Sequence, residues 1–94
     1  LRIYRHKNNH VFKGKDFKIY LIASDHGTGI PDSSLVVKVD DKEAYLDLDP
    51  ETGLREIFYP DSMKDVGKHT ITATAKDRAN NIAEPLTFMY EVKN

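Results

Sequence analysis

The chain contains no cysteine and no tryptophan. Without cysteine there can be no disulfide, no thiolate metal site and no thiol nucleophile, so packing alone must hold the fold. Apolar residues never run on for more than five positions, too few for a helical membrane span or a signal-peptide core. Charge of one sign is also missing. Fourteen Lys and Arg stand against fifteen Asp and Glu, a net charge of −1. Interleaved in this way, they leave no electrostatic footprint for nucleic acid or for an anionic membrane. No low-complexity tract, internal repeat or long linker interrupts the 94 residues, so residues 1–94 read as one domain. A start at Leu1 rather than Met reads as excision from a longer polypeptide or as processing.

What the chain does have is a period of two. In "DFKIYLIAS", Phe17, Ile19, Leu21 and Ala23 share one side, and Lys18, Tyr20, Ile22 and Ser24 the other. Leu35, Val37 and Val39 share a face, as do Ile71, Ala73 and Ala75 opposite three threonines. Leu86, Phe88, Tyr90 and Val92 do the same at the end of the chain. The runs are rich in Thr, Val, Ile, Tyr and Phe, as strands favour. The spacing predicts strands near residues 2–6, 10–13, 16–24, 34–40, 43–48, 54–59, 68–76 and 84–93, the first two being readable as one interrupted edge strand. Turn signals separate the runs at intervals of roughly ten residues, and no helical pattern intervenes to make βαβ crossovers. Only "PDSMKDVGK" offers a short helical turn, with Met63 and Val66 expected to face inward. One-sided strands need a second layer, so two stacked sheets are expected to bury the apolar faces against each other. Ala73 and Ala75 require another strand or a ring, Phe88 or Phe17, to approach closely.

In order, the segments are "ASDHGTGIPDSSLVVKVDDKEAYLDLDPETG", "FYP", "VGKHTITATAKDRANNIAEP" and "LTFMYEV". Together they resemble the bacterial immunoglobulin-like domains that occur in series in secreted and cell-surface proteins. The match spans nearly all of residues 11–92, and it lies in the order and spacing of short motifs rather than in any one of them. It implies an all-β fold, an immunoglobulin-like Greek-key β-sandwich of about seven antiparallel strands in two sheets. It also implies a non-catalytic role, as spacer, stalk or accessory module in a larger extracellular or cell-surface, bacterial protein. Two departures stand out: the glycine usual after Asp40 is Asp41, and the one usual before Asn81 is Asn80. Asn and Asp tolerate a left-handed backbone best after glycine, so both turns are expected to persist. "DRANN" accordingly reads as a hairpin connection, with Asp77 accepting backbone N–H groups.

Candidate sites are few. Acidic residues cluster at turns, and Asp25 and Asp77, each ending a strand, are the weak calcium candidates. Turn capping explains the same residues, and "DLDPETG" lacks the glycine of an EF-hand loop. No cofactor is otherwise expected. His6 and His10 are four apart, which would bring them together on a helix but not in the loop that "HKNNH" suggests. With no third ligand at metal spacing, the four histidines read as solvated. Ser24, Asp25 and His26 are adjacent on a strand and alternate in direction, so they cannot form a relay, and no enzyme is expected. Tyr4, Tyr20, Tyr45 and Tyr59 are expected to face outward. Tyr20 and Tyr45 are the candidate binding surface for a protein or glycan, against plain cross-strand pairing. The absence of tryptophan weighs against sugar. The expected partners are neighbouring domains of the same chain, with no nucleic acid and no membrane insertion, and with the isolated domain monomeric.

Overall fold

The computed structural model describes residues 1–22, 35–76, 82 and 85–94. Its strands are β1 (Arg2–Ile3), β2 (His10–Lys13), β3 (Ile19–Ile22), β4 (Val36–Val39), β5 (Lys42–Glu43), β6 (Tyr45–Leu48), β7 (Arg55–Tyr59), β8 (Gly67–Thr74) and β9 (Leu86–Lys93). They form two sheets, a four-stranded one in the order β1-β3-β7-β6 and a five-stranded one in the order β2-β9-β8-β4-β5. The period of two is what stacks them. Ile19, Leu21, Val37, Val39, Ile57, Ile71, Ala73, Phe88, Tyr90 and Val92 are all buried, each on the inner side of its strand. Burying each large side chain contributes roughly 1.5–3 kcal/mol.

Three features depart from the sequence expectation. The first two strands are separate, as the spacing predicts, but lie in different sheets: β1 pairs antiparallel with β3, whereas β2 pairs parallel with β9. The intervening loop reaches β9 through Asn8 Oδ1, which accepts from Met89 N–H at 2.7 Å, and through Asn9 N–H, which donates to Met89 O at 2.7 Å. The run expected at 43–48 is broken at Ala44, where the chain passes from one sheet to the other. Met63 sits in a 3₁₀ turn, Asp61–Lys64, and is buried as expected, but Val66 is 56% exposed. The turn ends at Lys64, and extended backbone at Asp65 swings Val66 away from the core.

The close neighbours of Ala73 are strands. It lies opposite Leu86 on β9 and Val37 on β4, with Phe88 two pairs away on the same face, opposite Ile71. Phe17 packs elsewhere, stacked on Phe12 with ring centroids 4.1 Å apart.

The β4–β5 connection confirms the turn chemistry. Val39 pairs with Lys42, and the two residues between, Asp40 and Asp41, have φ of 52° and 68°. Positive φ at both central positions is the type I′ hairpin, the geometry that glycine usually supplies. "DPETG" closes the β6–β7 hairpin: Asp49 Oδ1 accepts from Glu51 N–H at 3.0 Å, and Gly53, with φ of 76°, donates to Asp49 O at 2.8 Å. Asp49 caps a turn. Lys76 and Ile82 form an isolated antiparallel bridge around "DRANN", whose own residues, Asp77 included, lie outside the described residues.

Register also places the ends of the chain. Arg2 pairs with Ile22 at the far end of β3, while β2 and β9 run side by side to Lys13 and Lys93. Gly14 N–H closes that pole by donating to Lys93 O at 2.6 Å. By strand direction Leu1 and Asn94 therefore lie at opposite poles of the sandwich.

Candidate functional site

The outer face of the four-stranded sheet carries the exposed rings. Tyr45 pairs with Tyr59, but the next pair is Leu46 with Ile57, so Phe58 is an extra residue on β7. A bulge of this kind re-aims side chains that would otherwise alternate. Tyr45, Phe58 and Tyr59 consequently all reach solvent, with 54%, 46% and 41% of their surface exposed. Tyr45 and Tyr59 stack at 4.4 Å and 14°, and Phe58 meets Tyr45 edge-on at 6.2 Å. Sequence reading named Tyr45 and Tyr59 but missed Phe58, because strict alternation hides a bulge. An aromatic pair directly before proline was the available signal.

Tyr20 belongs to a second group. It is half-buried, pairs with Glu56 and meets Tyr4 edge-on at 6.4 Å, with the Arg5 guanidinium 5.5 Å from the Tyr4 ring centre. The strand β7 separates it from Tyr45, so the two candidate tyrosines do not form one platform. Tyr45 and Tyr59 each cover a face of the other. That arrangement is a protruding ridge rather than the flat row of rings on which a sugar stacks.

His69 is the clearest miss. Expected to be solvated, it is only 8% exposed, held between the β4–β5 turn and the segment after the 3₁₀ turn. Its Nδ1–H donates to Asp40 Oδ2 at 2.5 Å and its Nε2–H to Asp65 O at 2.7 Å, while the ring stacks on Tyr90 at 5.1 Å. Burial lowers its pKa, but the Asp65 carbonyl and the Asp40 carboxylate outweigh that, and the net shift is upward. Asp40 Oδ1 also accepts from Thr70 N–H at 2.9 Å. A His–Asp pair is half of a hydrolytic triad, yet the second ring nitrogen here meets a carbonyl instead of a nucleophile. The pair clamps the turn onto β8. Nearby, the Tyr90 hydroxyl donates to Met63 O at 2.7 Å, and burial followed by the charge of Asp40 pushes its pKa up.

His6 and His10 correct a second expectation. The loop between β1 and β2 folds back so that their rings lie 4.6 Å apart and both pack on Phe12. Positive φ at Arg5 and Asn9, 70° and 68°, reverses the chain and brings the two rings together without a helix. Burial and then repulsion from His10 lower the pKa of His6. Among the described residues no group of three His, Cys, Asp or Glu could hold a metal ion. The calcium candidates Asp25 and Asp77, and with them Ser24 and His26, lie outside the described residues. A groove of about 460 Å³ lies beside Asn9, His69, Met89 and Glu91, and both ring nitrogens of its histidine are already engaged by Asp40 and Asp65.

No family model matches the sequence, and no curated protein matches it. Among solved structures, the Clostridium thermocellum CbhA fibronectin(III)-like modules have the same architecture. The TM-score is 0.58 at 23% identity, over 98% of this chain and 94% of that one. At such identity the likeness concerns the fold, and the fold is a fibronectin III-like, immunoglobulin-like β-sandwich.

Proposed function

We propose that this sandwich is a non-catalytic module of a larger extracellular or cell-surface bacterial protein, acting as a spacer between neighbouring domains of the same chain. The observation that carries the reading is the placement of Leu1 and Asn94 at opposite poles of the sandwich, which follows from the strand directions. A module entered at one pole and left at the other adds its length to the assembly, and a packed two-layer core resists shortening. The similar CbhA structures are themselves described as modules, which fits a unit used within a longer polypeptide. The His69–Asp40 clamp and the Asn8–Asn9 attachment to β9 add stiffness by fixing a turn and a loop at points distant in sequence.

The absence of cysteine makes the test direct, because cysteines introduced at positions 1 and 94 can be labelled alone. Energy transfer between the two labels is expected to report one narrow distance distribution, unchanged when flanking domains are attached. A broad or short distribution in the folded protein would end the spacer reading.

A second reading, a protein-contact module, is favoured by the solvent-facing ridge of Tyr45, Phe58 and Tyr59. Tyrosine and phenylalanine are enriched where proteins meet. On this reading Tyr45→Ala weakens association while leaving the end-to-end distance unchanged.

A further inference from the structure

The near-zero net charge conceals a segregation. Residues 1–22 hold six basic residues, Arg2, Arg5, Lys7, Lys13, Lys15 and Lys18, against Asp16 alone, a net +5. Residues 40–56 hold seven acidic residues against Lys42 and Arg55, a net −5. The interleaving inferred from composition is therefore local to neither segment, and the topology turns the sequence separation into a spatial one. In the four-stranded sheet the outer strands are β1 and β6, and in the five-stranded sheet they are β2 and β5. Only Ala44 separates β5 from β6, so those two edges share one flank of the sandwich. By elimination β1 and β2 share the other.

One flank is thus basic from pole to pole: Arg2 on β1, Arg5 and Lys7 in the loop, Lys13 on β2, and Lys15 and Lys18 in the turn beyond. All six are exposed. The opposite flank is acidic from pole to pole, with Asp41 at the β4–β5 turn, Glu43 on β5, Asp47 on β6, and Asp49 and Glu51 in the β6–β7 turn, also exposed. The acidic flank carries a cost: Asp47 lies directly across from Glu56, a like-charge pair that destabilises a sheet. Charge on an edge strand protects against sheet-to-sheet pairing, but either sign serves that purpose. Edge protection does not explain why one flank is basic and the other acidic.

We propose that these flanks form a lateral interface between copies of this chain, the β1–β2 flank of one copy lying against the β5–β6 flank of the next. The occupant of each flank is a second copy because each copy carries both complementary surfaces. Tyr45 and Tyr59 border the acidic flank and are exposed, so their rings can meet a Lys or Arg of the neighbour. The contact is heterologous and does not close after two copies, so it extends side by side into a larger ring or an open row. Both poles stay free, which makes lateral association compatible with end-to-end linkage while independent of it. The sequence expectation of a monomer is replaced here by salt-dependent association.

Sedimentation of the intact 94-residue chain over a range of concentrations tests this. At about 0.01 M salt, where screening reaches only beyond roughly 30 Å, the weight-average mass is expected to rise with concentration. At about 1 M, with screening within roughly 3 Å, the association constant is expected to fall at least about tenfold. Two variants locate the contact: Lys13→Glu with Lys15→Glu reverses the basic flank, and Asp47→Lys with Glu51→Lys reverses the acidic one. Each alone is expected to remain monomeric at low salt, and an equimolar mixture of the two to associate again, with melting curves confirming that both are folded. A mass independent of concentration at low salt overturns the proposal. So does association that survives either reversal, or a mixture that stays monomeric.

Discussion

Replacing Asp40 by Asn removes one charge from the β4–β5 turn while leaving its backbone undisturbed. Asn tolerates the φ of 52° at this position as well as Asp does, and its side-chain oxygen can still accept from Thr70 N–H. What is lost is the charge-assisted bond from His69 Nδ1–H. Both ring nitrogens of His69 face oxygen acceptors, so only the imidazolium satisfies both at once. A hydrogen bond to a charged group contributes about 1.5–3 kcal/mol net. The Asp40 side chain is 38% exposed, and solvent screening reduces the figure to about 1–2 kcal/mol. In a domain of this size each kcal/mol moves the melting temperature by about 4–8 °C, so Asp40→Asn is expected to lower it by roughly 4–16 °C at pH about 5.5. The sign with pH follows from the raised folded-state pKa of His69. Its contribution is complete below the ordinary histidine value of about 6.5 and disappears as pH rises through the higher folded value. His6, with its lowered pKa, works in the opposite direction and is common to both proteins. The informative quantity is therefore the difference between the two pH profiles, measured by thermal melts followed by circular dichroism. That gap is expected to be widest near pH 5.5 and to narrow towards pH about 8.5. A gap that stays constant, or widens with pH, would refute the clamp.

Further substitutions probe the core, the turn and the buried hydroxyl. Leu21 is fully buried, so Leu21→Ala is expected to cost about 2–5 kcal/mol in urea unfolding, whereas Val66→Ala, on an exposed side chain, stays within about 0.5 kcal/mol. Asp41→Val puts a β-branched residue at φ of 68° and is expected to destabilise by about 2 kcal/mol or more, while Asp41→Gly does not destabilise, a contrast visible in denaturant midpoints. Tyr90→Phe leaves Met63 O without its donor in the core and is expected to cost about 1–2 kcal/mol by the same measurement.

Which side of each strand faces inward can be read from the amino acids alone. That information is local, because side chains alternate with a period of two and a buried face must be apolar at every second position. Ile19 and Leu21, Val37 and Val39, and Phe88 through Val92 were legible for that reason. So was the left-handed turn at Asp40–Asp41, whose geometry depends on two adjacent residues. Tertiary structure decided everything that joins residues distant in the chain. It sent β1 and β2 to different sheets, aligned β2 parallel to β9, and brought His69 to Asp40 across 29 positions. Alternation states that a face is buried but not what lies on it, so a histidine with two acceptors looked like a solvated one. The bulge that exposes Phe58 and Tyr59 together depends on the length of the partner strand. The two charged flanks depend on which strands end up outermost, because hydrogen-bond pairing between strands, and not their order in the chain, sets the edges of a sheet.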